Sequence, residues 1–185
     1  PTEEQDERIK IAVIGKPNVG KSSLVNKILG FERTIVNDIP GTTRDAIDTP
    51  FTVNGKPYTL VDTAGIRRKG RVSLVLEKYS VIQAMKTLDR CDIALHLIAA
   101  QEGITEQDAK IAGLALERGV ATILRVNKWD LVEKDNSTVG QYVKDIKDQL
   151  KFLDFAPILF VSAVTGQRLH RIFETVEQVY AEATK

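Results

Sequence analysis

Eight residues constrain this chain more than any other stretch: Gly15-Lys16-Pro17-Asn18-Val19-Gly20-Lys21-Ser22. They follow an apolar run, Ile9 to Ile14, and open onto a helix-like pattern from Ser22 to Leu29. Strand, glycine-rich loop and helix, in that order, are the setting in which G-x-x-x-x-G-K-[ST] cradles phosphate. Gly15 and Gly20 carry no Cβ, so the backbone between them can curl and aim successive N–H groups at phosphate oxygens. The helix starting near Gly20 adds the positive end of its dipole. Lys21 can bridge the β- and γ-phosphates and the Ser22 hydroxyl can ligate Mg²⁺. Lys16, Pro17, Asn18, Val19 and Ser23 complete the stretch expected to surround the phosphates. The competing reading, a glycine turn with a solvated lysine, does not account for the strand before and the helix after.

Composition bounds the rest. A chain of 185 residues, 43% hydrophobic and 28% charged, suits one ordinary globular domain. A net charge of +1 provides no global field toward nucleic acid or anionic membrane, although a local basic patch remains open. The single cysteine, Cys91, builds no disulfide framework and suits a reducing cytoplasmic setting. Its neighbours resemble the entry to a buried strand, so it reads as core filler. No run reaches the ~18 apolar residues of a membrane span, and no signal peptide is visible. The acidic, turn-like start (PTEEQDE, with Pro1 in place of a methionine) reads as a linker remnant over residues 1–8. Residues 9–185 then form a single domain, expected to be a fragment of a longer multi-domain protein.

Along the chain, Phe31 to Asp48 is rich in Thr, Asp, Gly and Pro and reads as a loop. Thr49 to Val53 and Tyr58 to Val61 read as an antiparallel hairpin around Asn54-Gly55. Ile66 to Val72 is basic and unpatterned. Leu74 to Leu88 has helical periodicity, Asp92 to Ala99 is a buried strand, and Thr105 to Arg118 is a helix with a capping-box start that ends at Gly119. Ala121 to Val126 and Ile158 to Val161 are strands, and Thr138 to Phe152 and Thr165 to Ala183 are helices. Six strands alternating with helices imply an α/β fold: a mainly parallel sheet with one antiparallel edge strand and helices on both faces. Ligands on such sheets sit at the C-terminal strand ends, where Gly15, Asp62, Asn127 and Ser162 all fall.

Each of these ends carries chemistry. Asp62, opening Asp62-Thr63-Ala64-Gly65, can hold the Mg²⁺ shell, and the Gly65 N–H can approach a γ-phosphate. In Gly41-Thr42-Thr43-Arg44-Asp45, Thr43 is the first candidate for a hydroxyl on Mg²⁺ and an N–H on the γ-phosphate, with Thr42 second. In Asn127-Lys128-Trp129-Asp130, the Asp130 carboxylate can accept from guanine N1–H and N2 at ~1.5–3 kcal/mol for each charged hydrogen bond. Lys128 can cover the base and Asn127 can brace the phosphate loop. After the last strand, Ser162-Ala163 can offer the Ala163 N–H to guanine O6. His96 reads as a satisfied core or edge histidine and His170 as plain surface.

GKPNVGKS, a Thr-bearing loop, DTAG, NKWD and SA, in this order, resemble the five loops of a Ras-like P-loop GTPase over nearly the whole chain. The finer features PGTTRD, VDTAGIRRKGRV, EKYSVIQAM, GITEQD, NKWDLVEK and SAVTGQRLH are similar to the second GTPase domain of the EngA (Der) family of bacterial ribosome-assembly GTPases. That family joins two GTPase domains to a KH-like RNA-binding domain. The resemblance implies GTP and GDP as ligands, Mg²⁺ as cofactor, and a cytoplasmic role with the large ribosomal subunit, its rRNA and the neighbouring G and KH-like domains as partners. It implies no membrane, and an isolated domain that is a monomer. Ras-type enzymes place a water-orienting glutamine after the DTAG glycine; here the residue is Ile66, which implies slow intrinsic hydrolysis. Relatives with an asparagine like Asn18 are potassium-stimulated, which implies K⁺ held by Asn18 near the β- and γ-phosphates. Lys21, Asn18, Thr43 and Gly65 are thus the expected catalytic set. One departure is Ala99, where the family commonly has aspartate. Arg67, Arg68, Lys69 and Arg71 read as a solvated loop or as an RNA or domain contact. A binding module with little hydrolysis of its own, or an Era-like or tRNA-modification GTPase domain, remain the other readings.

Overall fold

The computed structural model describes residues 8–15, 21–30, 33–35, 48–63, 82, 84–100, 102–127, 138–149, 158–160 and 166–184. Its strands are β1 (Ile9–Ile14), β2 (Arg33–Ile35), β3 (Thr49–Val53), β4 (Lys56–Leu60), β5 (Ile93–Ala99), β6 (Ala121–Asn127) and β7 (Ile158–Phe160). Its helices are α1 (Lys21–Gly30), α2 (Glu106–Glu117), α3 (Thr138–Gln149) and α4 (Gly166–Ala183), with residues 84–88 also helical. One sheet runs in the order β2-β3-β4-β1-β5-β6-β7. The strands β4, β1, β5, β6 and β7 are mutually parallel, and β3 is antiparallel to both of its neighbours. The doubly wound, mainly parallel α/β architecture expected from the sequence is therefore the one that forms.

Two details differ. The sheet has seven strands rather than six, because Arg33-Thr34-Ile35, within the stretch expected to be loop, pairs with β3. Three residues are too few to show an alternation, and pairing to an existing edge supplies what the local pattern lacks. The antiparallel strand β3 consequently lies one position in from the edge. The hairpin also closes tighter than expected: β4 begins at Lys56, and Asn54 (φ 53°) and Gly55 (φ 75°) form a two-residue turn. Positive φ at both central residues is the type I′ geometry that matches strand twist, and Asn and Gly tolerate it. Pro57 stands one residue before the first β1 partner of β4, the Ile9–Tyr58 pair, so its missing N–H removes no bond of the β1–β4 ladder.

Side-chain alternation sorts the core into two faces. On one, Val13, Leu95 and Ile123 meet Leu24, Val25 and Ile28 of α1 and Ile172, Phe173 and Val176 of α4. On the other, Ala12, Ile14 and Ala94 meet Ala84, Leu88, and Ile111 and Ala115 of α2, while Leu124 and Val126 meet Ile146 of α3. Phe51, Tyr58 and Phe173 lock the hairpin to α4, with ring centroids 5.0 to 5.8 Å apart. The Tyr58 hydroxyl donates to Glu177 Oε1 at 2.7 Å. His170, expected at the plain surface, is half-buried beside this hairpin, with its Nδ1 3.4 Å from Asn54 Nδ2. No helix of the described residues is long and apolar enough to cross a membrane.

Polar residues inside this frame are mostly paired. The Thr105–Asp108 capping box read from the sequence is present at the start of α2. Asp108, fully buried, also lies 3.4 Å from His96 Nε2, so His96 is a core histidine as expected but satisfied at one ring nitrogen only: its buried Nδ1 has no hydrogen-bond partner among the described residues. Cys91 packs against the core, and burial beside Asp92 pushes its thiol up to about 12, so it is inert at neutral pH. Phe173→Ala should destabilise the fold by about 3–5 kcal/mol, measured by denaturant unfolding, because it empties the middle of the aromatic cluster. Burial and the Glu177 contact raise the Tyr58 pKa, and burial followed by the Asp108 charge raises Tyr142 to about 12. A raised folded pKa keeps its stabilisation below the unfolded value near ~10 and loses it above. Stability should therefore fall as pH rises past ~10, and the alkaline slope should be shallower in Tyr58→Phe and in Tyr142→Phe.

Candidate nucleotide-binding site

The sheet builds outward from β1 in both directions: the chain adds β4, β3 and β2 on one side, then crosses to add β5, β6 and β7 on the other. This places a topological switch beside β1, the position at which open α/β sheets bind ligands. Because the five strands around it are parallel, Gly15, Asp62 and Asn127 all follow or end strands on one edge.

At the end of β1 the backbone turns through Gly15, which is buried and has φ 149°, a value that a Cβ would strain. The chain re-enters as α1 at Lys21, whose Nζ donates to the Gly15 carbonyl at 2.7 Å. The two ends of the glycine-rich loop are thus tied together, and a lysine ammonium is held over the C-terminal end of β1. The first turn of α1 contains no acidic side chain, so its own residues do not offset the positive end of its dipole. By contrast, Glu106 and Asp108 occupy the first turn of α2. Ser22 and Ser23 lie in the first turn of α1, as expected.

Asp62 follows β4, whose ladder to β1 is extended by the Val61 N–H donating to the Ile11 carbonyl at 3.0 Å. It has φ 59°, a left-handed conformation that aspartate tolerates better than most residues. Its N–H donates to Asp48 Oδ1 at 3.1 Å, and its Oδ2 accepts from the Thr87 hydroxyl at 3.3 Å. The neighbouring Thr63 is buried, and its hydroxyl pairs with that of Thr49 at 2.8 Å. The other carboxylate oxygen of Asp48 accepts from Arg90 Nη2. Asp48 immediately precedes β3, so one carboxylate joins the start of β3 to the backbone just after β4.

Asn127 ends β6, directly opposite Ala99 of β5. The Ala99 departure therefore lies beside Asn127, the first residue of the Asn127-Lys128-Trp129-Asp130 stretch. Nearby, the Tyr142 hydroxyl of α3 donates to the Ala100 carbonyl at 2.8 Å and fixes the end of β5. Arg125, two residues before Asn127, is buried in the sheet, and desolvation lowers its pKa to about 10, which leaves it cationic at neutral pH. Lys16, Pro17, Asn18, Val19, Gly20, Thr43, Ala64, Gly65, Ile66, Lys128, Trp129, Asp130, Ser162 and Ala163 lie outside the described residues, as does the Arg67–Arg71 loop. The residues that sequence reasoning missed are Asp48, Thr87, Arg90, Tyr142 and the buried Arg125. None carries a local signal, since each acts through a partner 14 or more residues away or through burial alone.

For a metal, among the described residues no three His, Cys, Asp or Glu side chains gather as ligands. Ser22 carries a hydroxyl and Asp62 a carboxylate, hard oxygens of the type that Mg²⁺ takes. Comparison with known proteins gives the family. The family described as 50S ribosome-binding GTPase matches residues 10–128. GTPase Der of Thermoanaerobacter sp. (strain X514) is 63% identical over 97% of this chain and 41% of its own length. GTPase Der of Geobacter metallireducens is 57% identical over 95% of this chain and 40% of its own. The chain spans about two fifths of these curated relatives. Among solved structures, Era in complex with MgGDPNP and a segment of 16S ribosomal RNA is 28% identical, with a TM-score of 0.67 over 94% of this chain and 57% of that one. With the family matched over well more than half its length, and the parallel sheet and tied glycine-rich loop to go with it, the chain belongs to the 50S ribosome-binding GTPases.

Proposed function

We propose that this chain is the GTP-hydrolysing switch domain of a large-subunit assembly factor of the Der type, selective for guanine, Mg²⁺-dependent and stimulated by K⁺. The observation that carries this reading is the Lys21 Nζ to Gly15 carbonyl bond, which holds an ammonium at the C-terminal end of β1 where the glycine-rich loop closes. Lys21 neutralises the β- and γ-phosphates, and the loop N–H groups and the α1 dipole oppose the remaining charge. Ser22 and Thr43 would hold the metal, and Asp62 would belong to its shell. When bound, Mg²⁺ supplies charge neutralisation of the phosphates. The Gly65 N–H senses the γ-phosphate, and Asn127, Lys128, Asp130 and Ala163 surround the base. Loss of the γ-phosphate releases the Thr43 and Gly65 loops, and this change of shape is read by the large subunit or by neighbouring domains.

The hydrolytic step lacks the usual orienting group because Ile66 occupies the position where Ras-type enzymes have glutamine. Asn18 would hold a monovalent cation, which would supply charge near the phosphates in place of an arginine finger. The same Ile66 favours a second reading, a nucleotide-dependent docking module with little turnover of its own.

Phosphate release from GTP should rise in KCl over NaCl, vanish in Lys21→Ala, and lose its salt preference in Asn18→Ala. Bound nucleotide without turnover in either salt would favour the docking module. Asp130→Asn should lower GTP affinity by roughly 100-fold, from two charged hydrogen bonds, and shift preference toward xanthine nucleotides. Competitive displacement of a fluorescent GDP measures both effects.

A further inference from the structure

Asp62 is the group the proposed function assigns to the metal shell, yet its carboxylate lies against another element. The backbone around it is held on three sides: by the Val61 N–H on Ile11, the Asp62 N–H on Asp48, and the Thr63–Thr49 hydroxyl pair. With the main chain fixed, the carboxylate moves by side-chain rotation. Its Oδ2 accepts from Thr87, which lies in the helical residues 84–88 and is almost fully buried. Ala84 and Leu88 of that stretch pack on the sheet face opposite the one covered by α1. Oδ2 is therefore drawn toward the face away from the helix whose first turn carries Lys21 and Ser22.

From this geometry we infer that Thr87 is a latch on Asp62: its hydroxyl holds the carboxylate off the metal side, and Mg²⁺ binding with nucleotide requires this bond to be exchanged. The proposal rests on the reading of Asp62 as the metal-shell carboxylate. A contact present in only one of two states biases the equilibrium by its own free energy, so the latch weakens apparent Mg²⁺ affinity. Exchange also transmits metal occupancy outward. Thr87 and Arg90 lie three residues apart, and Arg90 pairs with Asp48, which itself holds the Asp62 N–H. Releasing Thr87 therefore loosens the hold of this segment on Asp62 while the Arg90–Asp48 pair stays in place. Thr87 is a positioning residue in this scheme, since it acts on the site through Asp62.

The test is the Mg²⁺ dependence of GTP binding, read as the Mg²⁺ concentration giving half-maximal affinity, for the parent chain, Thr87→Val, Thr87→Ser and Asp62→Asn, with thermal unfolding as the check on folding. Thr87→Val should reach half-maximum at roughly three- to tenfold lower Mg²⁺, the size of one hydrogen bond. Thr87→Ser should behave as the parent, and Asp62→Asn should need more Mg²⁺. An unchanged or raised Mg²⁺ requirement in Thr87→Val, beside a raised one in Asp62→Asn, overturns the latch while leaving the Asp62 assignment intact. An unchanged requirement in Asp62→Asn removes the assignment and the latch with it.

Discussion

The parallel ladders that β1 forms with β4 on one side and β5 on the other are what the rest of the molecule depends on. The pairs Ile11–Leu60 and Ile11–Ile93 place three strands at one level. With the side-chain period of a strand, that register decides which residues enter each face and where each strand ends. A slip of one residue would turn Ala12 and Ile14 toward α1 and move Gly15 out of line with Asp62. Small side chains at Ala12 and Ala94 let residues 84–88 and α2 approach that face closely, whereas Val13 and Leu95 fill the wider space beneath α1 and α4. The alignment of the strand ends at Gly15 and Asp62 is thus a consequence of core packing.

Charge is distributed unevenly over this frame. Lys21 stands over the end of β1, and Arg125 is buried within β6. Burial of a guanidinium is costly. The carboxylates near the edge are, in contrast, engaged: Asp62 by Thr87, Asp48 by Arg90, and Asp108 by the α2 cap and His96. These contacts hold the anionic groups in place.

Much of this was legible in the chain because it is written in short-range rules. Gly15 marks the end of β1 and Lys21 the start of α1; Asn54-Gly55 specifies the hairpin; Thr105 and Asp108 specify the start of α2. Each depends on residues within about a helical turn or a tight turn, where local conformation and sequence are directly coupled. Strand β2 was not legible, since its pairing energy comes from Phe51, Thr52 and Val53, more than fifteen residues downstream. His170 looked like plain surface for the same reason: only the position of the hairpin against α4 brings Asn54 to it.

The motifs, the alternation of strand and helix and the sign of the chemistry at each strand end belong to the sequence, because local backbone preference and hydrophobic period need no distant partner. The pairing of Thr87 with Asp62, of Arg90 with Asp48 and of His96 with Asp108, together with the burial of Arg125, arose with the tertiary fold. Contacts across 12 to 42 residues are set by strand order and packing depth, neither of which a local pattern encodes.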